Sequence, residues 1–297
     1  MHFNKPKLPR VTLLVPCYQS SAYVDEAIGC ALNQSYGHVE TIVAPDDGKT
    51  YLELREKHSS PQLRIIAPGH ISGTGAGAAR NRALDASTGE FFAMLDADDL
   101  IGPNYIEDLM RVAVVEGAAI ANTRYTAWDG HTVVRVPPLH KKTLSLSGLG
   151  QLAASVHPLV HRSLEVGYCG GFAEDVIHDG LILAKLQGIS IVSTTEYTAR
   201  IREGSLCNGD ADDAEAKIQA AYHDRVDQIL YRPTEIGAQV LSYHEREDFA
   251  ELFRFRSFVS KLFSSSGGSC YNTWLAGKEA SYWDEYNSSK RVQSARR

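Results

Sequence analysis

Residues 91–103 read FFAMLDADDLIGP, and this stretch decides how the rest of the chain is understood. Phe91 to Leu95 form a short apolar run of the kind that fills a buried strand. The run leads straight into Asp96, Ala97, Asp98 and Asp99. Three carboxylates in four positions repel one another and are costly to desolvate without a positive partner. Alternation places Asp96 and Asp98 on one side of an extended chain. An oxygen-only ligand set suits Mg²⁺ or Mn²⁺, which commonly keep waters and phosphate oxygens as their other ligands. The stretch therefore predicts a divalent-cation site that holds a phosphorylated substrate, with Asp98 and Asp96 as the ligands. Asp also favours turns and helix N-caps, and Asp99 fits that simpler role.

The same strand-then-polar pattern recurs outward from this point. Upstream, Val11 to Val15 reads as a first buried strand ended by Pro16, and Ser21 is placed to cap the helix that runs on to about Asn33. His38 to Ala44 is a second strand, closed by the turn Pro45-Asp46-Asp47-Gly48 and followed by a helix from about Thr50. Leu63 to Ala67 is a third, followed by a glycine-rich loop at 73–77 and a helix over Ala78 to Ala86. Downstream, Pro103 suits the first helical position, and a helix covers Tyr105 to Val115. Repeated strand–helix alternation predicts an α/β fold with a mostly parallel sheet covered by helices. Ligands of such sheets bind beyond the carboxyl ends of the strands. Tyr18, Asp46, Asp47, Arg80, Asp96 and Asp98 all lie at or after such ends.

From Ala118 the regularity breaks. Ile120–Tyr125 and Thr132–Val136 suggest a hairpin, Pro137–Ser147 reads as loop, Ala173–Leu186 as a helix stopped by Gly188, and Ile189–Ser193 as a strand. Beyond about Asn208 the pattern is helical, with Ile218, Tyr222, Val226 and Ile229 on one face. A second helix, Phe249–Phe263, interleaves Phe with Arg254, Arg256 and Lys261; its apolar face suits the α/β domain, a second subunit or an anionic membrane surface, and packing within the protein is the expectation. Ser264–Ser269 reads as a linker, and the polar, basic residues from about Asn287 as unstructured. The division expected is residues 1–207 for the α/β domain and 208–297 for a helical C-terminal segment with a flexible tail.

Composition narrows the function. With 297 residues, 43% of them hydrophobic, the chain can bury a sizeable core. A net charge of −6 argues against nucleic acid as a partner. Five cysteines without CxxC spacing point to a reducing compartment with neither a disulfide framework nor a zinc cluster. The N-terminus has no apolar core of a signal peptide, and no stretch is long and apolar enough to span a bilayer. The expectation is a soluble cytoplasmic protein, with peripheral contact at the inner face of the membrane or homo-oligomerisation through the C-terminal helices left open.

Two rival chemistries share these motifs. Gly73-Thr-Gly-Ala-Gly-Ala78 matches GxGxxA, and Asp96 lies about twenty residues on, the spacing of a nicotinamide-dependent oxidoreductase. Against it, residues 68–72 separate the loop from its strand, and ribose recognition needs one carboxylate rather than three. The other use of such a loop is close approach to a phosphate, with Arg80 adding a fixed positive charge. A phosphatase-like site would use the first Asp of DxD as nucleophile, which leaves Asp46, Asp47 and Asp179 without a role.

Four blocks taken in order resemble the family 2 glycosyltransferases of GT-A fold. VTLLVPCYQSSAYVDEAIGCALNQSY resembles the family's opening, TIVAPDDG its DDGS turn, AGAARNRALDASTGEFFAMLDADDL its ARNxG…LDxDD block, and GGFAEDVIHDGLILAKL its GGFDE…EDxDL helix. The resemblance implies inverting transfer of a sugar from a nucleotide-diphosphate donor, most often a UDP-sugar, to a glycan or lipid-linked acceptor, with Mn²⁺ or Mg²⁺. It assigns Tyr18 to stack on the base, Asp47 to accept a hydrogen bond from it, and Asp46 to hold the turn. Arg80 would face the phosphates, Asp96 the ribose and metal, and Asp98 would ligate the metal. Asp179 stands at the general base, with Glu174 and Asp175 as alternatives one turn away; His178 replaces a usual Glu. Arg200–Ser205, RIREGS, resembles the family's RIHxGS. Arg202 takes the place of a metal-binding His; a guanidinium cannot ligate a cation but can pair with diphosphate oxygens. A catalytically inactive nucleotide-sugar-binding module remains the other class of reading.

Overall fold

A computed structural model describes residues 8–67, 72–127, 130–137, 141–152, 156–201, 211–266, 274–275 and 278–294. The chain forms two compact units that interleave along the sequence. The first comprises Met1–Ala121, His157–Gly170 and Ser190–Tyr197; the second comprises Asn122–Val156, Gly171–Ile189 and Thr198–Arg297. Residue 207, the expected boundary, falls inside the second unit.

The first unit is built on the apolar runs. β1 (Val11–Cys17), β2 (Val39–Pro45), β3 (Leu63–Ile65) and β4 (Phe91–Met94) alternate with α1 (Val24–Leu32), α2 (Leu52–His58) and α3 (Ala76–Ala86). Next come β5 (Leu100–Ile101), α4 (Tyr105–Glu116) and β6 (Ala118–Thr126). Strand order begins β3-β2-β1-β4, all parallel, with Val11 opposite both Val39 and Phe91 and Thr41 opposite Leu63. Leu13, Leu14, Ile42 and Phe92 are fully buried, as expected of strands covered on both faces, which are mainly apolar rather than alternating. Beyond β4 the sheet turns antiparallel through β9 (Leu159–His161), which pairs with β4 and with β6. β1 and β4 meet so closely at Gly89 that a Cβ there would stand 2.8 Å from the Thr12 nitrogen. Just beside it, Glu40 gathers the Thr12 hydroxyl at 2.7 Å and the Thr88 N–H at 2.6 Å, so this buried carboxylate is satisfied.

The second unit is mostly helical. The far part of β6 pairs with β7 (Thr132–Val136) as the expected hairpin. The region read as loop contains a short strand β8 (Thr143–Leu144) and the start of α5 (Leu146–Leu152). α6 (Glu174–Leu186), α7 (Ala211–Tyr231) and α8 (Tyr243–Ser266) follow; β10 (Ile189–Arg200), after α6, belongs for most of its length to the first unit. Gly180 of α6 faces Phe249 of α8 so closely that a Cβ would lie 2.3 Å from the ring. Phe249, Phe253 and Phe255 are fully buried, so the apolar face of α8 is covered by this chain's own residues. Arg254 of that helix pairs with Glu247 and Glu251.

Several boundaries depart from the sequence reading for identifiable reasons. Ser21 does not cap α1; the N–H groups of Tyr23 and Val24 go to the Ser20 carbonyl, and the Ser21 hydroxyl accepts from Lys49 Nζ instead. Pro103 precedes the N-cap, Asn104. α6 ends at Gln187 in left-handed backbone, one residue before Gly188. β10 continues to Arg200, well past Ser193. α8 runs to Ser266, into the expected linker. The tail is helical as well: α9 (Glu279–Ser294) sets Trp283 and Tyr286 against Phe255, with ring centroids 4.8 and 5.7 Å apart. Among the described residues, no helix is long and apolar enough to cross a membrane.

Candidate functional site

The carboxyl ends of β1, β2 and β4 carry the polar residues of the first unit. Asp46, at the end of β2, is 2% exposed and fully engaged. It accepts the Gly75 N–H at 2.9 Å, the Arg82 guanidinium at 2.8 Å and the Thr74 hydroxyl, while its carbonyl accepts the Gly73 N–H at 2.6 Å. The glycine-rich loop is therefore tied down onto the β2 turn. Burial alone would raise the Asp46 pKa, but the bonds from Thr74 and Arg82 outweigh it and hold the pKa below the usual carboxylate range. This geometry also weakens the nicotinamide reading: the N–H of Gly75, at the start of α3, is already given to the chain's own carboxylate.

A lowered folded-state pKa stabilises the fold in full above the unfolded value, near 3.9, and that contribution is lost as the pH falls below it. Asp46→Asn is accordingly expected to unfold at lower urea than the parent at pH 7, with the gap narrowing by pH 3. A constant gap in urea melts at the two pH values would show that the charge of Asp46 plays no part.

Asp47 takes three donors: Gln19 N–H at 3.1 Å, Lys49 N–H at 3.1 Å and the Tyr51 hydroxyl at 2.7 Å. Tyr51 is buried, and burial first, then Cys17 and Asp47, push its pKa far up, so it stays a donor. Beside this turn Tyr18 is 51% exposed, its ring available as a flat surface at the end of β1.

Asp96 follows β4. Its Oδ1 accepts Arg80 Nη2 at 2.8 Å, its Oδ2 lies 3.6 Å from His157 Nε2, and its N–H donates to the Tyr197 hydroxyl at 3.0 Å. Burial pushes its pKa up; the charges of Arg80 and His157 bring it below the ordinary value. Arg80 is itself buried, its guanidinium 5.8 Å from the centre of the Tyr168 ring. Asp98 is half-buried, whereas Asp99 is buried and accepts the Tyr197 hydroxyl at 2.8 Å. Among the described residues, no three His, Cys, Asp or Glu side chains gather as metal ligands.

In the second unit, Asp179 of α6 is fully buried. Its Oδ2 accepts the Val156 N–H at 3.1 Å, and His178 Nδ1 stands 3.5 Å from Oδ1. Asp175 is half-buried, whereas Glu174 is buried. The preceding Gly-Gly-Phe is pinned by Arg225, whose Nε donates to the Phe172 carbonyl at 2.8 Å. Arg202 lies outside the described residues.

Sequence reasoning missed Arg82, Tyr51, Tyr168, His157 and Tyr197. Arg82 had a visible signal, since it stands two residues after Arg80 on one helix and so faces another direction. The other four are joined to the site by contacts whose partners the sequence pattern does not announce.

A parallel sheet with its carboxylates at the strand ends defines an α/β protein of the class whose ligands bind beyond the carboxyl ends of the strands. The sequence profile of Glycosyl transferase family 2 matches residues 12–171, more than half of the chain. The chain belongs to that family. YibD of Escherichia coli K12, named an uncharacterized glycosyltransferase, is 27% identical over 213 residues, 66% of this chain and 60% of its own length. The succinoglycan biosynthesis protein ExoO of Rhizobium meliloti 1021 is 32% identical over 130 residues, 43% of this chain and 37% of its own. Residues 1–349 of S. aureus TarS, solved in complex with UDP-GlcNAc, share the fold with a TM-score of 0.61 at 19% identity, over 92% of this chain and 78% of that one. The chain spans 30%, 32% and 60% of the lengths of three curated relatives it matches.

Proposed function

We propose that this chain is an inverting glycosyltransferase that moves a sugar from a nucleotide-diphosphate donor, a UDP-sugar in the first instance, to a hydroxyl of a glycan or lipid-linked acceptor. The family match supports sugar transfer, and the UDP-GlcNAc complex of TarS supports the donor class. The name of ExoO favours a polysaccharide product. The observation that carries the reading is Asp96, fixed by Arg80 at the end of a parallel strand and followed by the half-buried Asp98.

In this reading Tyr18 packs on the base and Asp47 receives a hydrogen bond from it, while Asp46 and Arg82 keep the turn in shape. Asp96 faces the ribose, and Arg80 acts through Asp96. Arg202 pairs with diphosphate oxygens. Asp98, with Asp96 beside it, would hold Mn²⁺ or Mg²⁺, which when bound offsets the charge growing on the leaving diphosphate. Asp179 takes the proton of the acceptor hydroxyl. Its complete burial makes the half-buried Asp175 the residue to compare with it.

Thermal denaturation with Mn²⁺ and a set of nucleotides tests the donor class. UDP or another nucleoside diphosphate is expected to raise the melting temperature, and NAD and NADP to leave it unchanged. Stabilisation by NAD alone would restore the oxidoreductase reading.

A further inference from the structure

His157 is 4% exposed, yet among the described residues neither of its ring nitrogens has a hydrogen-bond partner. A buried polar group in that state is costly and calls for a reason. The backbone adds to the cost: φ is +47° at a non-glycine residue directly before Pro158, where extended backbone is preferred. Strain of this kind persists only where the surroundings hold it. What holds His157 is Tyr197, whose ring lies parallel to the imidazole at 4° with centroids 4.3 Å apart. The stack directs Nε2 at Asp96 Oδ2, 3.6 Å away, too long for a hydrogen bond but well within electrostatic reach. The same tyrosine bonds the Asp96 N–H and the Asp99 carboxylate. Arg80 and His157 thus face the two oxygens of one carboxylate while Tyr197 fixes its main chain. If packing were the whole purpose, a phenylalanine at 157 would stack equally well and leave no nitrogen without a partner.

We propose that His157 is a positioning residue for donor binding: clamped on Tyr197, it sets the second oxygen of Asp96 toward the nucleotide. The proposal rests on the nucleotide-sugar reading above. It makes His157 the counterpart of Arg80 across the carboxylate, one facing each oxygen. Its effect passes through Asp96, so it is felt in donor affinity rather than in the folding of the unit.

Isothermal calorimetry with Mn²⁺ and, in turn, UDP, GDP, CDP and dTDP first identifies a nucleotide that the parent protein binds. His157→Phe, which keeps the stack and removes the nitrogens, is expected to bind that nucleotide about tenfold more weakly, as loss of a supporting contact does elsewhere. Its melting temperature should stay within about 3 °C of the parent. In an Asp96→Asn background the same replacement is expected to have no further effect on affinity, because the two residues act as one unit. His157→Gln, which keeps an N–H donor, should lie between parent and His157→Phe, and it carries the comparison if His157→Phe does not fold. Affinity in these variants within about twofold of the parent, or losses that simply add in the double variant, would overturn the proposal. Failure of the parent protein to bind any of the four nucleotides would instead overturn the donor reading on which it rests.

Discussion

Replacing Asp179 with asparagine is expected to lower sugar transfer by about a hundredfold or more while leaving donor binding unchanged. Asparagine keeps the shape and can still accept the Val156 N–H that Oδ2 accepts now, so the fold around α6 is retained. What it loses is the ability to take a proton. In the proposed reading the base is Asp179, on the resemblance of GGFAEDVIHDGLILAKL to the family's helix, and the carboxylate's burial is the feature to test. Steady-state rates with donor and acceptor, read beside nucleotide affinity, decide the point. Near-normal transfer by Asp179→Asn, with transfer lost in Asp175→Asn, would move the base to Asp175.

Arg80→Met is expected to reduce stability by about 2–3 kcal/mol and to weaken nucleotide binding at the same time. Arg80 is buried, and its Nη2 is 2.8 Å from Asp96 Oδ1, so methionine fills much of the space but leaves a carboxylate facing no guanidinium. The part of Asp96 that is still exposed to water keeps the loss below that of a fully enclosed pair. Urea unfolding and calorimetry on the same preparation separate the two effects. A variant of parental stability and parental affinity would show that the pair plays no part in holding the DADD turn.

The parallel half of the sheet was legible because its strands are short, mainly apolar runs, each followed by polar or turn residues. Phe91–Met94, Val11–Cys17 and Val39–Pro45 show this directly. α9 was not legible, because Glu279–Ser294 is polar along most of its length; its stability comes from Trp283 and Tyr286 meeting Phe255, a contact between distant parts of the chain. The pattern at the strand ends picked out Asp46, Asp47 and Asp96, the carboxylates around which the site of the first unit is built. It could not show that Asp46 spends its oxygens on Thr74, Gly75 and Arg82, or that Arg80 is turned onto Asp96. Both follow from where α3 lands relative to β2 and β4. Tyr197 and His157 were invisible for the same reason: each meets the DADD turn from a segment 60 or more residues away.

Release of nucleoside diphosphate from a panel of nucleotide-sugars, with Mn²⁺ present and UDP-GlcNAc among the donors, tests the central claim most directly. The account predicts that at least one donor is turned over and that Asp98→Ala abolishes its turnover. A panel in which the parent protein releases diphosphate from no donor would contradict it.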